Sequence, residues 1–78
     1  MKSTANLSQL APGQHAKVKE LKTIGSMRRR LSDLGLIAHT DVMCLGRSPL
    51  GDPSAYLIRG AVIAIRAKDS QNIIIETR

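Results

Sequence analysis

The chain has 78 residues, 42% apolar and 23% charged, and its twelve Lys and Arg against six Asp and Glu leave a net charge of +6. That length leaves room for one hydrophobic core, and the charge points to an acidic partner: nucleic acid, an anionic membrane surface or an acidic protein. Tyr56 is the only aromatic residue, which argues against a base-stacking platform and against an aromatic-lined polyproline groove.

A single cysteine, Cys44, cannot form an internal disulfide, which fits a reducing cytosol. The opening "MKSTANLSQLAPGQ" lacks the apolar centre of a signal peptide. No apolar run approaches the length of a bilayer span. A soluble, cytoplasmic protein is expected.

Residues 1–6 are polar and read as a flexible N-terminus ahead of one domain over 7–78. Leu7 and Leu10 sit one helical turn apart, with Ser8 as the expected cap and Pro12-Gly13 as the stop. "HAKVKEL" alternates Ala16 and Val18 inward with Lys17 and Lys19 outward, the period of a half-buried strand. "GSMRRRLSDLGL" predicts a helix capped by Ser26, with Met27, Leu31 and Leu34 as its apolar stripe and Gly35 as its left-handed stop. "TDVMCLG" predicts a second strand, and "RSPLGDPS" an exposed loop. "AYLIR" and "AVIAIR" predict a tight hairpin about Gly60. "AKDSQN" reads as a turn, and "IIIET" as a fifth strand. Five strands with one helix inserted after the first predict a mostly β fold, a small antiparallel barrel plugged by the helix stripe. Its expected core is Val18, Leu31, Leu34, Ile58, Ile63, Ile65 and Ile74.

Two stretches, "RLSDLGL" at 30–36 and "SPLGDPSAYLIRGAVIAIR" at 48–66, resemble the signatures of the ferrous iron transport protein A family, FeoA. The segment "LSQLAPGQHAKVKEL" resembles that family's first segment, so the resemblance runs from Leu7 to Glu76. The chain departs from the family at Ala38-His39, where Pro-Gly is common, and at Ser70, where alanine is common. His tolerates a positive φ better than most residues, so the turn is expected to survive. The resemblance implies an SH3-like barrel that acts as a non-enzymatic cytoplasmic accessory of ferrous iron uptake. Its implied partner is the cytosolic part of the FeoB-type GTPase permease, which also implies a place beside the inner membrane. The fold also occurs as a domain appended to metal-dependent repressors, and the family is loosely associated with transition-metal binding.

Three readings compete for the arginine run. At about 100° per residue, Arg29 points away from the apolar stripe and Arg28 and Arg30 flank it. Asp33 is spaced to offset Arg29 and Arg30. With Ser26 as the cap, Arg28 and Arg29 would oppose the helix dipole by about 0.3–1 kcal/mol each. Such a face is either plain solvated surface or a protein-docking site; nucleic acid is the least favoured partner. The expected contact set is Arg28, Arg29, Leu50, Asp52 and Pro53. The prolines flanking Leu50 hold that loop in a preset shape, which suits either a contact loop or a simple connection.

No metal site or cofactor is expected. His15, His39 and Cys44 are scattered without ligand spacing, although His39 and Asp41 are surface candidates for an ion shared between copies. No nucleophile, base and orienting group converge, and no phosphate loop occurs. The alternatives are a metal-responsive oligomeriser and a nucleic-acid-binding module like the repressor-appended barrels.

Overall fold

The computed structural model describes residues 3–77. Its elements in chain order are β1 (Ser3–Asn6), a 3₁₀ turn (Leu7–Gln9), β2 (His15–Leu21), α1 (Gly25–Asp33), β3 (Asp41–Arg47), β4 (Ser54–Ile58), β5 (Ala61–Ile65), α2 (Ala67–Ser70) and β6 (Ile73–Thr77). All six strands form one sheet in the order β1-β6-β2-β3-β4-β5, every neighbour antiparallel. The five expected strands are six. Ser3–Asn6, expected to be loose, pairs with β6 from Ser3↔Thr77 to Asn6↔Ile74. An edge strand needs main-chain partners more than an apolar pattern, so "STAN" carries little strand signal. Met1 and Lys2 lie outside the described residues.

Among the described residues no ladder joins the two ends of the sheet, β1 and β5. Leu7 and Leu10 are fully buried in the core cluster. The Tyr56 hydroxyl, from β4, donates to the Leu7 carbonyl at 3.4 Å. Burial raises the Tyr56 pKa above its ordinary value, partly offset by the Ser54 and Ser70 hydroxyls. The 3₁₀ turn is held at Asn6, whose backbone N–H donates to Gln9 Oε1 at 3.0 Å, so Asn6 takes the place expected of Ser8.

Two bulges set which residues face inward. In β2 the register shifts between Val18 and Glu20, so Lys19 and Glu20 both face solvent and Leu21 returns to the core. A second shift between Cys44 and Gly46 in β3 leaves Leu45 exposed beside the buried Cys44. Val18, Leu31, Ile58 and Ile65 are buried as expected, and Ile63 packs half-buried against them.

Two expected core residues are displaced. Ile74 is only half-buried, because the pairings Val18↔Ile75 and Leu21↔Ile73 turn Ile73 and Ile75 inward. Leu34 is 40% exposed and Leu36, beyond the helix, is fully buried. The helix stops at Asp33, Gly35 turns the chain at φ 96°, and Leu36 closes back. Leu36 N–H donates to the Leu31 carbonyl and Gly35 N–H to the Ser32 carbonyl, both at 2.9 Å. That is a Schellman ending, with its usual apolar contact between the flanking leucines. "AKDSQN" is also not a simple turn: it begins with α2, whose Ser70 is buried with its hydroxyl donating to the Ala67 carbonyl at 3.3 Å.

Candidate functional site

Ile24, not Ser26, occupies the N-cap of α1, and it makes no side-chain cap bond. Starting the helix at Gly25 moves Arg28 to the end of the first turn and Arg29 and Arg30 into the second. Arg30 now lies in the last turn, where a cation suits the dipole, so the expected dipole penalty largely disappears.

The three arginines do different things. Arg28 folds back along the sheet, its Nη1 donating to the Leu21 carbonyl at 3.0 Å at the end of β2. Arg30 lies on the other flank of the helix and lines a groove against β5. Arg29 faces solvent. Asp33 offsets neither neighbour: among the described residues, the ion pair within 4 Å is Lys17 Nζ with Asp41 Oδ1 at 3.8 Å. Both partners are well solvated, so this pair contributes little.

The loop after β3 is closed by its own backbone. Ser48 N–H donates to the Pro53 carbonyl at 3.1 Å, and Gly51 N–H to the Ser48 carbonyl at 2.8 Å. That closure leaves Leu50 at 93% exposure at its tip. Asp52 is engaged inside the protein: its Oδ1 accepts the Ala67 N–H at 2.8 Å, holding the first turn of α2. The expected contact set therefore does not converge on one recess. Arg28 lines one with Lys19, Leu21 and Ile37, and Pro53 lines another with Leu45, Ala55 and Ala64.

His39 and Asp41 border the same shallow recess, together with Thr40 and Arg59. His39 adopts φ 72°, the left-handed conformation its position demands. Its N–H donates to the Val18 carbonyl at 2.7 Å. Among the described residues no three His, Cys, Asp or Glu side chains gather as metal ligands. Arg59 lines the same recess, with its side chain lying over Gly35.

A surface groove the sequence reading missed runs along β5. Met27 and Arg30 of α1 and its C-cap Leu34 face Ile63, Arg66 and Lys68 across an open groove of about 460 Å³. The signal for it is the strand "AVIAI", which shows no polar alternation at all.

The FeoA domain profile matches residues 5–77. The chain belongs to the FeoA domain family. Two solved relatives in that family are similar throughout this FeoA domain. FeoA protein from Chlorobium tepidum is 32% identical, with a TM-score of 0.88, over 92% of this chain and 69% of that one. Iron(II) transport protein A from Clostridium thermocellum is 29% identical, with a TM-score of 0.87, over 92% of this chain. The FeoA domain described here spans only 44% of that second chain. Stenotrophomonas maltophilia FeoA, a prokaryotic SH3 domain protein solved with zinc, is 21% identical with a TM-score of 0.80 over 94% of this chain and 95% of its own. That likeness supports the SH3-like fold. No curated protein sequence matches the chain. The family is associated with ferrous iron transport, and among the described residues no helix is long and apolar enough to cross a membrane.

Proposed function

We propose that this FeoA domain is a non-enzymatic cytoplasmic accessory of ferrous iron uptake. In this reading it docks on the cytosolic part of a FeoB-type GTPase permease, modulates transport, and meets the membrane only through that partner. The observation that carries the reading is the match to the FeoA domain over residues 5–77. The solvent-facing groups supply its chemistry. Leu50, raised on a loop closed by two backbone hydrogen bonds, is a preorganised apolar anchor. Arg29 is a free cation for an acidic surface, and Pro53 stiffens the loop base. Arg28 and Asp52 hold local structure, so their contribution to docking is through positioning.

The test uses Arg29→Glu combined with Leu50→Asp, which touches no internal hydrogen bond. The folded double variant is expected to bind the purified permease at least tenfold more weakly and to lower ferrous uptake in cells. Unchanged binding and uptake would remove the docking surface from consideration.

A further inference from the structure

β5 (Ala61–Ile65) is an edge strand; among the described residues only β4 pairs with it. Natural edges are blunted by charges, prolines or bulges that discourage strand addition. "AVIAI" has no charge and no proline, and the two register shifts lie in β2 and β3. The hairpin turn Arg59-Gly60, both at positive φ, is closed by the pair Ile58↔Ala61. Alternation from that closing pair turns the N–H and C=O of Val62 and Ala64 away from β4, toward the open side. Val62 is 67% exposed.

Beside this edge stands the groove against α1. Met27 and Ile63 are half-buried in it and Leu34 remains 40% exposed. Three exposed cations, Arg30, Arg66 and Lys68, rim it against a single carboxylate, Asp69. Its features are thus main-chain hydrogen-bonding groups, apolar pockets and net positive charge. With Tyr56 buried at 1% exposure, it has no exposed aromatic to grip a polyproline helix. An extended strand needs none.

A second copy of the chain is the poorer occupant. Antiparallel pairing of two β5 strands centred on Ile63 would bring the Arg66 of each copy to the hairpin end of the other, opposite Gly60, where no carboxylate stands to receive it. Bringing two such copies together also opposes two chains that each carry +6 overall, a repulsive approach.

We propose that the groove between α1 and β5 binds an extended acidic peptide segment, which adds to β5 as a further strand. Its apolar side chains enter the space between Met27, Leu34 and Ile63, and its carboxylates face Arg30, Arg66 and Lys68. The inference does not depend on which protein carries the segment, nor on the Leu50 and Arg29 surface.

The probe is a phage-displayed library of random dodecapeptides, selected on the folded protein and counter-selected on Ala64→Pro. Proline at an outward-facing edge N–H leaves the β4 ladder intact. Peptides enriched in alternating apolar and Asp/Glu residues are expected, with proline absent from their centre. Titrated into isotope-labelled protein, one such synthetic peptide should shift the amides of Ala61–Ile65 and Arg30. Its affinity should fall with added salt, and at least tenfold in Arg30→Glu/Lys68→Glu, which also serves if Ala64→Pro does not fold. Enrichment of proline-rich or basic peptides, shifts mapping to the Leu50 loop, or no enrichment over the controls would overturn the proposal. So would a dimer in sedimentation equilibrium that buries β5.

Discussion

The two ends of α1 are built to different standards. At the C-terminal end, Gly35 and Leu36 complete a Schellman ending over Leu31, the Thr40 hydroxyl donates to the Gly35 carbonyl at 3.1 Å, and the Arg59 side chain covers Gly35 so closely that a Cβ there would sit 2.5 Å from its Cδ. At the N-terminal end, Ile24 caps nothing and is 84% exposed. No acidic residue stands in the first turn, and Arg28 supplies the tie back to the sheet. The helix is fastened from its end and left under-secured at its start. A segment held in this way can present Arg29 to a partner and border a groove without depending on either for its own folding.

The sharpest way to break that comparison is Leu36→Ala. Truncating a fully buried leucine at the fastened end should cost about 2–5 kcal/mol, read by urea denaturation, with the spread set by how far the site collapses. A loss no larger than that of an exposed residue would mean that the C-terminal end is not the anchor.

Gly35→Ala should cost less, about 1–2 kcal/mol, because alanine is strained at φ 96°. Arg59 is exposed and its chain can swing away, so the backbone strain dominates the close approach. A double-mutant cycle with Arg59→Ala separates the two. If most of the cost vanishes in the Arg59→Ala background, the steric contact matters more than the conformation.

The under-secured end should respond in the opposite sense. Ile24 already holds the extended conformation of an N-cap, φ −128° and ψ 168°. Ile24→Asp should therefore raise stability by about 0.5–1 kcal/mol, measured as a higher denaturation midpoint. A decrease would show that the exposed isoleucine makes an undetected stabilising contact. The smallest effect belongs to Arg29→Ala, within about 0.5 kcal/mol in the same assay. A larger loss would make Arg29 structural and remove it from the docking surface.

Much of this was legible in residue order. The Gly35 stop, the "AYLIR"/"AVIAIR" hairpin, the buried Cys44 and the split of Arg28 and Arg30 to opposite flanks all follow from local conformational preference or from the period of a helix. The positive φ of His39 follows the same logic. The start of α1 was not legible, because Ser26 is the better cap chemically and the chain uses Ile24 instead. The parity of "III" at 73–75 could not be read either, since three identical side chains do not say which face is inward. Nor could the displacement of Leu34 by Leu36, which depends on where the chain goes after Gly35.

The candidate site divides the same way. That Leu50 stands exposed on a turn-rich loop could be read from Pro49, Gly51 and Pro53. That Asp52 is occupied by the Ala67 N–H, fifteen residues away, could not.

What the sequence by itself determined is the set of local decisions: where strands and turns fall, which glycine ends the helix, and a basic surface with no usable aromatic. Steric limits and side-chain periodicity act over a few residues, so they are written in residue order. Only the tertiary structure decided that β5 is an edge, that Arg30 rather than Arg28 borders the groove against it, and that Leu36 rather than Leu34 completes the core. Those outcomes depend on strand order and on the bulges that reset inward and outward faces. They come from long-range pairing, which no short stretch of the chain encodes.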